Sequence, residues 1–171
     1  MDISHYFEQL DILHYAEIVL KLVLAVLAGG IIGYERETHH KPVGLRTNIL
    51  VCLGATIIAI VGIEIANDVL DQFAKNPDPA FPVKVDLGRL TAQVVSGIGF
   101  LGAGSIMRDK NSVSGLTTAA GMWVSALIGI AIGYGYYFVS GVALLLVVFT
   151  LLFNKLKGKT FHSDDEVNGD D

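Results

Sequence analysis

Five stretches of the chain run nearly free of charge: about residues 18–34, 47–66, 90–107, 116–133 and 136–153. Each is long enough to cross the hydrocarbon core of a bilayer, which takes ~17–25 helical residues. The pattern predicts an all-α fold, a polytopic membrane helix bundle with five transmembrane helices. Ahead of the first span, Ile3, Phe7, Leu10 and Leu13 fall on one side of the chain, as in a short helix over residues 2–17 lying at the outer interface. Between the second and third spans, Asn67 to Asp86 contains Pro77, Pro79 and Pro82 and reads as an extended outer loop. The polar segment 158–171, closing on "HSDDEVNGDD", reads as a disordered acidic cytoplasmic tail. The predicted organisation is one transmembrane domain over residues 1–157 followed by that tail.

Composition agrees with lipid as the solvent. Of 171 residues 52% are hydrophobic, with 19 glycines beside four prolines, and the mean hydropathy is +0.55. Met1 to Glu17 has neither a basic n-region nor a small-residue cleavage site after the apolar run, so the first span is expected to be retained. Basic residues fall mostly on one side, only Lys21, Lys75, Lys84 and Arg89 lying on the other. Arg36, Lys41 and Arg46 follow the first span, Arg108 and Lys110 the third, and Lys155, Lys157 and Lys159 the fifth. The alternate segments carry most of the carboxylates, which places the N-terminus outside and the C-terminus in the cytoplasm. The net charge of -5 is thus an acidic outer face plus an acidic tail, and nucleic-acid binding has no basis. The lone Cys52 permits no disulfide framework and reads as a small buried apolar residue.

Residues 97–104, "GIGFLGAG", fit G-x-G-x-x-G but lack the preceding strand, the following helix and the acidic residue ~20 positions on that a dinucleotide site needs. In a membrane helix, small residues four apart instead let backbones approach. Gly29 and Gly33 have that spacing, as do Ala92 and Ser96, Gly99 and Ala103, and the stripe Thr117, Gly121, Ser125, Gly129, Gly133. Spans one, three and four are therefore expected to pack tightly, and the bulky fifth to face lipid. A second reading of Gly97, Gly99, Gly102 and Gly104 is an unwound third span, since each glycine costs a helix ~1 kcal/mol relative to alanine. Unwinding would turn backbone carbonyls toward an ion or substrate.

"GLRTN" at Gly44 and "GLTTA" at Gly115 open the second and fourth spans alike, and the same spacing pairs Gly33 with Gly104, Thr47 with Thr118, Ala55 with Ala126 and Gly62 with Gly133. This suggests a parallel two-hairpin repeat with a fifth helix added. Each "GL(R/T)T" would start a helix at the cytoplasmic face, with a Thr hydroxyl as cap. The two positive helix ends could hold an anionic group: Glu35 or Glu37, a lipid headgroup or a partner segment.

Polar residues within the spans are few: Asn48, Gln93, Ser96, Thr117, Thr118, Ser125 and the Trp123 indole. Each can serve as interhelical hydrogen-bond glue, worth ~0.6 kcal/mol on average. Charges gather at two rims. Glu35, Arg36, Glu37, Arg46 and Arg108 form a cytoplasmic set with His39, His40 and Lys41, in mixed signs that suggest ion pairing between loops. On the outer rim Asp86 and Arg89 lie a helical turn apart and can pair. Glu64, Asp68 and Asp71, at i, i+4 and i+7, share a face that could collect a divalent cation or sense protons, although such a trio facing outer water is more often a solvated acidic face.

Three long blocks, "GGIIGYERETHHKPVGLRTNILVCLGA", "DLGRLTAQVVSGIGFLGAGSIMR" and "GLTTAAGMWVSALIGIAIGYG", together resemble the MgtC/SapB family of bacterial inner-membrane proteins in the family's order. The resemblance implies a multi-pass protein of the bacterial inner membrane linked to magnesium homeostasis, growth in low magnesium and, in pathogens, survival inside host cells. The family's signature falls on Glu35, Arg36, Glu37, Gly44, Leu45, Arg46, Thr47, Asp86, Arg89, Gln93, Ser96, Gly97, Gly99, Gly102, Gly104, Arg108, Gly115, Leu116, Thr117, Thr118 and Trp123. Longer members carry an ACT-like C-terminal domain, which the residues up to Asp171 do not resemble, so functions dependent on it are not expected of this chain.

Two functions follow as expectations. One is regulation of a membrane partner, such as a transport ATPase or the ATP synthase, with glycine-rich faces docking helices of that partner or of a homodimer or other homo-oligomer. The other is an ion channel or transporter, for Mg2+ or a monovalent cation, with a path near the third helix. Mg2+ demands near-octahedral oxygen ligands and dehydrates reluctantly, and the spans offer no mid-membrane carboxylate. No cofactor is expected, Mg2+ being at most a ligand or transported ion. No catalytic constellation is present either: neither an activated nucleophile nor a buried acid–base pair is legible. Membrane lipid is the constant partner.

Overall fold

The computed structural model describes residues 3–75, 86–110 and 112–160, with side chains placed over 12–75, 86–110 and 112–152. Among the described residues five helices and one short hairpin follow in order: α1 (Ile3–Thr38), α2 (Leu45–Lys75), α3 (Leu87–Gly104), β1 (Met107–Asp109), β2 (Ser112–Ser114), α4 (Leu116–Gly133) and α5 (Tyr137–Thr160). Within them Ile12–Thr38, Leu45–Lys75 and Leu116–Gly133 are long and apolar enough to cross a membrane, whereas the described apolar part of α5, Tyr137–Leu152, is shorter. These are the helices of a membrane protein. Helix α3 has 18 residues, and Arg89 and Gln93 dilute its apolar character.

Several boundaries differ from the sequence reading, each for a local reason. The interfacial helix expected over residues 2–17 is the first part of α1, because no glycine or proline interrupts the chain before Gly29. Of the expected outer loop Asn67 to Asp86, Asn67 to Lys75 continue α2, and residues 76–85, with the three prolines, lie outside the described residues. Helix α3 starts three residues early because Asp86 caps it, its Oδ1 accepting from the Arg89 backbone N–H at 3.2 Å. That bond also corrects the expected Asp86–Arg89 ion pair, for the carboxylate serves the backbone and not the guanidinium. Residues 158–160 belong to α5, and the rest of the predicted tail, 161–171, lies outside the described residues.

The glycine-rich segment 97–104 is continuous helix, so the unwound third span is not observed. Nor did the sequence reading anticipate β1 and β2, which pair antiparallel with Met107 opposite Ser114, Arg108 opposite Val113 and Asp109 opposite Ser112. All six strand residues are exposed, Met107 and Val113 among them.

Helix α2 is the centre of the bundle. It packs most extensively against α1 and α4; α3 lies against α4 and part of α2, and α5 against α4 and α1. Small residues decide this arrangement. A Cβ on Gly29 would stand 2.6 Å from the Asn48 carbonyl oxygen, and one on Gly33 2.6 Å from the Leu45 Cα. On α4, a Cβ at Gly129 would overlap the Cys52 carbonyl, and one at Gly133 would stand 2.8 Å from the Thr56 carbonyl oxygen. The expected tight set of spans one, three and four is therefore corrected to α1, α2 and α4. Around these contacts Ala25, Ala28, Ile32, Cys52, Ile128 and Ile132 form one buried cluster, and Val51, Ala55, Ala126 and Ile130 a second.

The helices run alternately up and down. At one end meet the C-terminus of α1, the N-termini of α2 and α4, and Thr150 and Leu151 of α5. At the other, His14 Nε2 lies 3.3 Å from Glu64 Oε2, and Tyr134 Oη lies 2.6 Å from Thr91 Oγ1. The two hairpins are not packed alike, since Thr118 is buried while Thr47, its partner in the proposed repeat, is exposed.

Gly129→Ala should therefore lower the unfolding midpoint in detergent, by ~1–3 kcal/mol for an overpacked contact, because the new methyl meets backbone that cannot rotate away. Gly141→Ala, where a Cβ has nothing within 4 Å, should be neutral or slightly stabilising in the same assay.

Candidate functional site

Three consecutive charged residues end α1, and helical geometry sends them in different directions. Glu37 points out and across the connection, where its Oε2 accepts from the Leu45 backbone N–H at 2.8 Å. A carboxylate thus caps α2, complementing the positive helix end. Gly44 makes room for it: a Cβ there would stand 2.8 Å from the same oxygen. The cap expected from Thr47 is supplied by Glu37 instead.

Glu35 and Arg36 turn inward and are 9% and 6% exposed. Arg36 Nη2 donates to Thr118 Oγ1 on α4 at 3.3 Å, joining the two hairpins. Its Nη1 lies 3.9 Å from Glu35 Oε2, a loose ion pair. Two buried atoms, Arg36 Nε and Glu35 Oε2, have no hydrogen-bond partner. The other Glu35 oxygen faces His39, whose Nδ1 is 3.3 Å from Oε1 and 2.7 Å from the Glu35 carbonyl oxygen. Burying charge with incomplete partners is costly, so this cluster is where the cytoplasmic rim of the sequence reading acquires structure.

Two cavities flank Arg36. The first, of about 470 Å3, is lined by Arg36, His40, Lys41 and Pro42 on one side and by Ser105, Met107, Val113 and Ser114 to Thr118 on the other. The second, of about 480 Å3, is lined by Glu35, Arg36, His39, Lys41, Thr117, Thr150 and Leu151. Gly115, with φ +87°, is the N-cap of α4 and has no side chain to offer its free N–H groups. The left-handed φ and the close Ser105 carbonyl, which a Cβ would overlap, both require glycine there. Thr118, expected as a cap, accepts from Arg36.

Deeper in the bundle, Ser125 Oγ donates to Asn48 Oδ1 at 2.9 Å, and Asn48 Nδ2 donates to the Gly44 carbonyl at 2.9 Å. Thr56 Oγ1 lies 2.8 Å from the Gly129 carbonyl oxygen and 2.9 Å from that of Cys52. The sequence reading missed Thr56, whose signal was a hydroxyl in the middle of an otherwise apolar span.

The remaining candidates stay apart. Arg46 and Arg108 are exposed and make no ion pair among the described residues. Gln93, Ser96, Gly97, Gly99 and Gly104 are exposed on α3, and only Gly102 of that helix is buried, with Ala119 of α4 beside it. Thr117 is exposed at the mouth of both cavities, and Trp123 is 41% exposed. Asp86 caps α3 and Arg89 is exposed. Glu64 faces His14, and Glu64, Asp68 and Asp71 form no metal site: among the described residues no group of three or more His, Cys, Asp or Glu side chains could hold a metal ion. A shared helical face spreads three carboxylates over two turns, and no neighbouring element closes them round an ion.

Comparison with known proteins adds a family. The family model described as MgtC family matches residues 22–159. YhiD of Escherichia coli K12, by name a candidate magnesium transporter, is 41% identical over 152 residues, covering 86% of this chain and 67% of that protein. SapB of Bacillus subtilis 168 is 41% identical over 138 residues, 80% of this chain and 56% of SapB. MgtC of Salmonella typhimurium LT2 is 43% identical over 119 residues, 70% of this chain and 44% of MgtC. The chain therefore spans about half to two thirds of the length of these relatives. No solved structure matches it.

Arg36→Met should destabilise the bundle by ~3 kcal/mol, because it strands the Glu35 charge in a buried site. Glu35→Gln combined with Arg36→Met should recover part of that loss, which a double-mutant cycle of unfolding midpoints in detergent reads directly.

Proposed function

The chain belongs to the MgtC family, and on that premise we propose that it serves magnesium homeostasis and adaptation to low magnesium as a regulatory membrane protein. In this reading it crosses a bacterial inner membrane five times, N-terminus outside and C-terminus in the cytoplasm. Its activity is exerted by docking helices, not by passing the ion. The basic connections share one end of the bundle, which supports the orientation. The name of YhiD and the family match support the link to magnesium.

One observation carries the regulatory reading: the open face of α3. Gln93 and Ser96 are exposed, Phe100 is 80% exposed, and a Cβ on Gly97, Gly99 or Gly104 would meet nothing within 4 Å. Lipid tails cannot hydrogen-bond the Gln93 amide, and a small-residue face toward lipid forgoes close packing. A docked helix, from a second copy of the chain or from a partner such as a transport ATPase or the ATP synthase, remedies both. By contrast the α1–α2 and α2–α4 seams are closed by direct backbone approach.

Gly97→Leu and Gly104→Leu should abolish low-magnesium growth support in a deletion strain while leaving the unfolding midpoint of the purified protein unchanged. Glu64→Gln and Asp71→Asn should support growth fully. The reading fails if purified protein in proteoliposomes conducts Mg2+, K+, Na+ or H+ above empty vesicles and Gln93→Ala removes that flux.

A further inference from the structure

We propose that the cavity between the α1–α2 connection and the first turn of α4 binds a phosphate group, held by Arg36, Lys41 and the free backbone N–H groups of Leu116, Thr117 and Thr118. Three independent features converge there. The first is the unfinished start of α4. In any α-helix the first N–H groups lack intrahelical partners, and here Gly115 supplies no side-chain cap. The corresponding end of α2 is already served by the Glu37 carboxylate. One of two similar helix starts has received its anion from the chain, and the other has not.

The second feature is Arg36. It is 6% exposed, lines the cavity, and reaches α4 through Thr118, yet its Nε has no hydrogen-bond partner. The Nε is itself sealed from solvent, so what the guanidinium brings to the cavity wall is a buried positive charge whose polar contacts are incomplete, and planar Arg donors suit phosphate oxygens. Glu35 answers only part of the charge, from 3.9 Å. It does not line this cavity, and its other oxygen is turned to His39.

The third feature is the sign of the lining. Arg36, Lys41 and His40 face the cavity and no carboxylate does, while hydroxyls come from Ser105, Ser114, Thr117 and Thr118. Cationic side chains, hydroxyl donors and a helix N-terminus are the components of phosphate sites generally. Gly115 at φ +87° brings the start of α4 against the Ser105 carbonyl, which fixes where the N–H groups stand relative to the α3 end. The phosphate can arrive free in water or on a lipid headgroup, because the cavity opens where the helices end. The inference does not depend on the docking role of α3, which lies on a different face.

The test uses the full-length protein in a neutral maltoside detergent and follows its thermal unfolding midpoint. One titration adds inorganic phosphate against chloride at equal ionic strength; another adds short-chain phosphatidylglycerol against short-chain phosphatidylcholine. A saturating rise with at least one phosphate probe, absent with its control, is expected. Saturation by inorganic phosphate identifies a free-phosphate site, and saturation by phosphatidylglycerol alone identifies a headgroup site. Lys41→Gln, at an exposed position, should leave the ligand-free midpoint unchanged and weaken the apparent Kd about tenfold, the loss of one charge-assisted contact. Arg36→Lys keeps the charge but loses the planar fork and should weaken binding as well. Failure of both probes to saturate, or saturation that Lys41→Gln leaves unaltered, overturns the assignment.

Discussion

Close backbone approach at α2 is the constraint from which the rest of this structure follows. Lipid tails are as apolar as leucine, so helices in a bilayer gain little from burying leucine against leucine and must gain from van der Waals fit and interhelical hydrogen bonds. Gly29 and Gly33 bring α1 onto the backbone of α2 from one side, and Gly129 and Gly133 bring α4 onto it from the other. With α2 held at backbone distance by both neighbours, α3 lies against α4 and α2, and α5 against α4 and α1.

That approach also explains why the buried polar groups are so economical. Thr56 reaches the Gly129 carbonyl because no side chain at 129 separates the helices, and Ser125 reaches Asn48 in the same seam. Both bonds lie on the α2–α4 contact, so packing and polar satisfaction specify the same register. Agreement of that kind across levels is what gives a sequence one structure.

The rim departs from this economy. Arg36 bridges to Thr118 with an unused Nε, and Glu35 Oε2 has only the loose ion pair with Arg36 and no hydrogen bond, both at the junction of the two hairpins. Incomplete satisfaction in a buried cluster has a physical cost, and it sits where two cavities open. The α3 face is the second departure, with its glycines, Gln93 and Phe100 uncovered. The first departure lies at the junction of the two hairpins, and the second on the outer helix of the less tightly packed one.

Much of this was legible in the sequence. Long apolar runs determine helices in lipid because every backbone group must be satisfied within its own segment, and residues 116–133 were bounded to the residue. The start of α3 moved by three residues because a cap, not hydropathy, sets it, as Asp86 shows. The charged triplet at residues 35–37 was visible as a rim, yet its division into a cap, a buried pair and an interhairpin bond was not, since adjacent residues on a helix face different neighbours. Likewise the small-residue spacing announced close packing without saying which helices would meet: Gly99 and Ala103 have the same four-residue spacing as Gly29 and Gly33, yet a Cβ on Gly99 would meet nothing within 4 Å. Sequence determined the helices and the small residues they carry, because both are local properties of the chain. Only tertiary structure decided which small face was used, because that depends on where a partner backbone lies.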